Sequence, residues 1–245
     1  MVLDPVKGTV FLLLTGLGTV RNSLVFVSYM HMFQSTEQKP VHLILAHLAL
    51  TNIIMLLSKG MPKTIEAFNF GNYLNDTSCK LSVYLARVSR GLSICTSSLL
   101  TVVQAITISP RQSMWQRFNL KTPQHILSSL LCLWILNSLI SMNLPYSIKN
   151  INSVNITQFR KDGNYCYFLP ESWITQWIFL TLMVLRDAVF QGAMGGASVY
   201  MVFLLHKHHQ HVLYLQNSKL LYRTPPELRA AQSVLLLMMC FLFFY

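Results

Sequence analysis

Five long apolar stretches, and a sixth that is still apolar at Tyr245, alternate with short polar links. They cover about residues 8–30, 41–61, 81–108, 126–144, 173–205 and 230–245. A helix needs about 20 such residues to cross a hydrocarbon core of roughly 30 Å. Lipid offers no water to bond a backbone, so continuous runs of this length must be helices. The ten-residue alternation of a β-barrel strand is a different pattern from these unbroken runs. The expected fold is an all-α membrane protein, one transmembrane domain over residues 1–245. Pro40, Pro62, Pro110 and Pro145 punctuate the pattern, since proline lacks the amide hydrogen that continues a helix.

Composition agrees with that reading. Of the 245 residues, 53% are hydrophobic and 11% charged, against about 25% charged in soluble domains. The formal net charge of +11 raises the question of nucleic acid. The basic residues lie in short clusters between apolar runs, as membrane flanks do, and no nucleic-acid partner is expected. Asp4 and Lys7 precede the first run and Arg21 and Asn22 interrupt it, which is unlike a cleavable signal peptide. It reads as a first span that acts as its own insertion signal.

Counting basic residues does not orient the chain. With the N-terminus outside, the inner links hold Lys39, Arg111, Arg117, Lys121, Lys207, Lys219, Arg223 and Arg229. The outer side holds Lys7, Lys59, Lys63, Lys80, Lys149, Arg160 and Lys161, almost the same number. The glycosylation sequons beginning at Asn75 and Asn155 fall in outer links, and so do Cys79 and Cys166. These place the N-terminus outside. Cys95, Cys132 and Cys240 fall inside apolar runs and are expected to be small buried hydrophobes.

Charges inside the spans are costly, about 2.5–3.5 kcal/mol each at the bilayer centre. They are Arg21, Arg87, Arg90, Arg186 and Asp187, and Asp187 is the sole acid. By helical rise, Arg90 lies roughly 16 Å below Cys79 and Asp187 roughly 22 Å below Ser172. Both sit near the middle, so Arg90, or failing that Arg87, is the expected partner of Asp187. Tyr84, Arg87, Arg90 and Asp187 are the candidate lining of a ligand cavity; the competing reading has the arginines snorkelling or pairing for structure alone. Asn22 and Asn52 are expected to bond between helices. Gly192 and Gly196 form a small-xxx-small pair, a sign of close helix packing. His206, His208, His209 and His211 lack the companions of a four-ligand site, so no metal and no cofactor are expected.

Several strings carry a resemblance. HLILAHLALTNIIMLLSKGMP, RGLSICTSSLLTVVQAITISPR, LMVLRDAVF with LLHKHHQHV, and PPELRAAQSVLLLMMCFLFFY resemble the vomeronasal type-1 receptor family over nearly the whole chain. The resemblance implies a plasma-membrane heptahelical receptor that binds small pheromone-like ligands and signals through Gi/Go-type G proteins. It implies a disulfide between Cys79 and Cys166 and a glycan on Asn155, with Asn75 the weaker site. Asn22 and Trp134 match positions of rhodopsin-like receptors. Asn52 stands where those receptors carry Asp, and QAITISPR replaces their Asp-Arg-Tyr triad. The sequence stops within the sixth span, without a seventh, and is expected to reach the cell surface poorly and not to signal by itself. A receptor relic is the alternative. A small transporter is a further rival, though it would carry internal repeats and more intramembrane acids. An intramembrane enzyme would need a catalytic pair that the spans do not offer.

Overall fold

The computed structural model describes residues 3–35, 39–68, 76–110, 122–144, 148–150, 166–168 and 172–215. Five helices carry the fold: α1 (Leu3–Ser35), α2 (Pro40–Ala67), α3 (Asp76–Ile108), α4 (Pro123–Ile140) and α5 (Trp173–Leu215). All five are long and apolar enough to cross a membrane, and the chain is a multi-pass membrane protein. Most extend beyond the apolar runs that predict them, because a helix does not stop where lipid ends. Thus α5 has 43 residues, about 64 Å at helical rise, roughly twice the hydrocarbon thickness. The sixth run lies outside the described residues.

Between α4 and α5 the structure adds an element that the apolar pattern does not show. Strands β1 (Ile148–Asn150) and β2 (Cys166–Phe168) pair antiparallel, Ile148 opposite Phe168 and Asn150 opposite Cys166. This short ribbon lies against α3.

Packing follows from small residues and polar anchors. The hairpin of α1 and α2 closes in a regular antiparallel register: Gly8 beside Ala67, Thr15 beside Gly60, Gly18 beside Leu56, Asn22 beside Asn52, Tyr29 beside His42. A side-chain carbon on Gly60 would overlap Thr15, so glycine lets the two backbones approach. The most apolar stretch of α3 is 67% buried, against 6% in α1, which makes α3 the centre of the bundle. Its text is rich in Ser and Thr, and several of the hydroxyls are satisfied within the helix. Ser89 donates to Leu85 O, Thr101 to Ser97 O and Thr107 to Val103 O. Around α3, Ile44, Val88, Leu92, Cys95, Ile126 and Leu130 form one apolar core across α2, α3 and α4, with Phe190 of α5 packed on it.

The outward faces are apolar, as a lipid-facing surface must be. Leu131 and Ile135 of α4 and Val184, Leu185 and Val189 of α5 are all exposed. Trp173 and Trp177 meet edge to face at 5.9 Å at the start of α5, a place where aromatic side chains gather at membrane interfaces. Two expectations are corrected here. Cys132 is exposed on the outside of α4, because being within an apolar run does not fix which way a side chain turns. Among the described residues Gly192 and Gly196 meet no close helix contact: a side-chain carbon on either would meet nothing within 4 Å.

Candidate functional site

Polar side chains are distributed through the bundle in three groups, each joining helices that apolar packing alone would leave free to slide. The first joins α1, α2 and α3. Asn52 donates through Nδ2 to Asn22 Oδ1 (3.4 Å), and Ser93 donates to Asn52 Oδ1 (3.2 Å). Asn22 in turn donates to Gly18 O. Asn22 and Asn52 thus bond to each other across α1 and α2.

The second group centres on His47 of α2. The Trp134 indole N–H of α4 donates to His47 Nε2 at 2.8 Å. That bond makes Nε2 an acceptor and assigns the ring hydrogen to Nδ1, which lies 3.1 Å from Thr96 Oγ1 of α3. A neutral histidine thereby ties α2, α3 and α4 together. His42 and His47 are five apart in α2, a spacing that does not put both on one helix face, and nothing in the pattern near His47 points to Thr96.

The third group is the most heavily charged. Arg186 of α5 is buried, with 4% of its side chain accessible. Its Nη1 donates to Asn137 Oδ1 of α4 at 2.8 Å. Its Nε and Nη2 both reach Asp187 Oδ1, at 2.9 Å and 2.7 Å. Asn137 spends its own amide hydrogens on Leu133 O at 2.8 Å and on Cys95 Sγ of α3 at 3.8 Å. Gly91 of α3 makes the arrangement possible. A side-chain carbon there would overlap both Asn137 Oδ1 and Arg186 Nη1, so only glycine leaves room for the guanidinium against the α3 backbone. One cation thus binds three helices.

This corrects the pairing expected from depth. The partner of Asp187 in the structure is its neighbour Arg186, not Arg90. Depth along a span says nothing about azimuth, and residue 186 turns toward α4 while its guanidinium folds back over residue 187. Arg90 instead faces α2, where Lys59 lies within electrostatic range of both Arg90 and Lys63. The Lys63 ammonium sits 5.2 Å over the Phe11 ring. Arg87 and Arg90 are half-buried on α3, and Tyr84 packs against the central core. The four candidate cavity residues are therefore split between two sides of α3. A cavity of about 400 Å³ lies lower, between α3 and α5, lined by Val102, Ala105, Ile106, Ala193, Gly196, Ala197 and Tyr200. Near it the Ser109 hydroxyl donates to Tyr200 Oη at 3.1 Å.

Near the N-terminal end of α3, Cys79 is buried and disulfide-bonded. Asn75 and Asn155 fall outside the described residues. Asn137 and Gly91 are the site residues that sequence reasoning missed. The available signals were a lone amide in the apolar text of α4 and a glycine directly after Arg90 in a helix that tolerates few.

A single α-helical bundle with charge buried at its centre defines a polytopic membrane protein of receptor-like build. The chain matches the vomeronasal organ pheromone receptor family over residues 6–245, and belongs to that family. It is 31% identical over 242 residues to the olfactory receptor class A-like protein 1 of Danio rerio, covering 98% of this chain and 76% of that protein. It is 36% identical over 233 residues to the vomeronasal type-1 receptor 4 of Homo sapiens, covering 94% and 77%. With the vomeronasal type-1 receptor 100 of Rattus norvegicus it shares 35% over 227 residues, covering 92% and 69%.

Proposed function

We propose that this chain is a plasma-membrane receptor, N-terminus outside, which binds a small pheromone-like ligand and couples it to a Gi/Go-type G protein. Family membership supports the receptor class. The observation that carries the site is the charged cluster on α5 at mid-membrane, where an ion pair, an amide and a glycine from three helices converge. Buried charge is expensive in lipid and persists where a bundle uses it. Tyr84, Arg87, Arg90 and Asp187 stay the proposed ligand-contacting set, although Arg90 lies on the α2 side of α3 and not beside Asp187. At the outer end, Cys166 starts a strand that lies against α3, and the disulfide of Cys79 is assigned to it. The glycan is assigned to Asn155, in the outer link.

The test is nucleotide exchange on a reconstituted Gi/Go protein, driven by vomeronasal ligand mixtures. The protein is used at its natural full length. Ligand-dependent exchange is expected. Exchange that no mixture raises above background, from protein that reaches the cell surface, overturns the reading.

A further inference from the structure

The histidines of this chain gather at one end of the bundle. Of the 8 in the sequence, all but His47 lie where α1 stops, α2 and α4 begin and α5 leaves its apolar run. Three of them mark the edge of a run: His31 follows that of α1, His125 precedes that of α4 and His206 follows that of α5. All three are exposed, as are Lys39 and Lys207. An apolar run ends where the hydrocarbon ends, so these side chains stand at headgroup depth. Their helices are peripheral: the most apolar stretches of α1, α4 and α5 are 6%, 28% and 17% buried, against 67% for α3, which has no histidine. Past His206, α5 stays helical to Leu215. Positions 208, 209 and 211, also histidines, therefore follow roughly 3 to 7.5 Å further out at helical rise. That is within a Debye length, about 8 Å at physiological salt, of the lipid surface. Acids are scarce here. Among the described residues this end has no Asp or Glu, and the adjoining links add Glu37 and Glu227 against Arg111, Arg117, Lys121, Lys219, Arg223 and Arg229. Most of the countercharge therefore comes from outside the chain.

We propose that this end of the bundle is a histidine collar that binds anionic phospholipid headgroups, and binds them more tightly as its imidazoles take up protons. The collar goes beyond the receptor reading and does not depend on it. The orientation proposed there puts it at the cytosolic leaflet, where anionic lipid is found. Lys39, Lys207 and the basic links attract headgroups at any pH. Histidine supplies the graded part, because its charge changes between about pH 5 and 8, and an imidazolium offers two N–H donors to phosphate oxygens. By the register of the α1–α2 hairpin, in which Tyr29 stacks on His42, the neighbours of His31 are Lys39 and His42. Lys207 is next to His206, and Gln210 Nε2 lies 3.0 Å from His206 Nε2. That amide is exposed and can turn its oxygen to a charged ring. Tyr200 stands between His206 and the end of α3, where it meets Ser109. An acidic protein surface would match the charge and not the depth, since the collar is drawn from three peripheral helices at the level where lipid headgroups lie.

The test is lipid selectivity. The protein, at its natural full length, is reconstituted in phosphatidylcholine vesicles. Spin-labelled phosphatidylglycerol and phosphatidylcholine are then compared by electron paramagnetic resonance, which reads their relative association with the lipid shell around the protein. Phosphatidylglycerol is the probe because its phosphodiester keeps one negative charge throughout. Lowering the pH from about 8 to about 5.5, across the ordinary histidine pKa of about 6.5, is expected to raise its preference about threefold. The combination His31→Gln, His125→Gln and His206→Gln keeps polar side chains without the charge and should remove about half of that rise, the share of three of the six histidines at or beyond the edge. Adding His208→Gln, His209→Gln and His211→Gln should remove most of the remainder. The combination His31→Lys, His125→Lys and His206→Lys should instead hold the preference high at both ends of the range. A preference that does not change with pH in the original protein overturns the collar. So does a rise that persists undiminished in the six glutamine substitutions, or a lysine variant no more selective at high pH than the original. The same holds if the protein ignores phosphatidylglycerol at every pH, the result expected of a surface reserved for an acidic protein. Ligand and G protein take no part in the measurement, so failure of the collar and failure of the receptor reading are seen separately.

Discussion

Replacing Asp187 by Ala is the sharpest perturbation of the charged cluster. It leaves Arg186 with 4% of its side chain accessible and with only the Asn137 bond to compensate the charge. Arginine cannot shed its proton in a protein, so the cost cannot be relieved by neutralisation. Breaking a buried pair by removing one partner costs about 3–5 kcal/mol, and a bare charge in mid-membrane about 2.5–3.5 kcal/mol. The surviving Asn137 bond offsets part of this. A loss of about 3 kcal/mol is expected, roughly a hundredfold in the folding equilibrium. Arg186→Met should cost less, about 1–2 kcal/mol, because the carboxylate left behind is 25% accessible where the guanidinium is 4%. The double change removes both charges and should lie well above the sum of the singles, since an apolar pair of similar volume is often tolerated in place of a buried ion pair. Arg90→Ala combined with Asp187→Ala should bring no such recovery. Folding is read from denaturant titration in bicelles and from surface biotinylation in cells. A double mutant as poor as the summed singles, or recovery with Arg90 in place of Arg186, would refute the assignment.

Other positions make smaller, separable predictions. Gly91→Ala drives a methyl into Asn137 and Arg186 and should lower stability by about 1–3 kcal/mol, seen as a fall in the thermal midpoint. Trp134→Phe deletes the donor to His47 Nε2 and should cost about 1–3 kcal/mol for the stranded acceptor; Thr96→Val, on the other nitrogen, should then add little, because the ring is already free to turn. Mass spectrometry of unreduced protein should find Cys79 cross-linked to Cys166, and a different partner for Cys79 would refute that assignment. Glycosidase should shift the mass of the chain, and Asn155→Gln should abolish the shift.

The spans were legible because lipid imposes one rule on every backbone group, and a run of apolar text about 20 residues long has one way to obey it. The helix ends were less legible. Beyond the lipid boundary α5 continues to Leu215 through basic and histidine-rich text that reads as a link. The β1–β2 ribbon was not legible either. Three-residue strands have no period to detect, and what orders them is their position against α3.

The site was legible in its components and not in its wiring. Hydropathy marks Arg87, Arg90, Arg186 and Asp187 as residues that must be compensated, and helical rise places them at similar depth. What decides the pairing is azimuth, and azimuth is set by packing. Arg186 turns to α4 because Asn137 presents an acceptor there and because Gly91 leaves the space its guanidinium occupies. Neither residue is charged, so neither stands out among apolar neighbours. The same reasoning explains His47. Its two ring nitrogens are claimed by Trp134 and Thr96, 87 and 49 residues away in sequence, and no local pattern announces either. In a helical membrane bundle the expensive residue is visible in the text, whereas the inexpensive residue that accommodates it, here a glycine and an amide, becomes visible only when the helices are placed side by side.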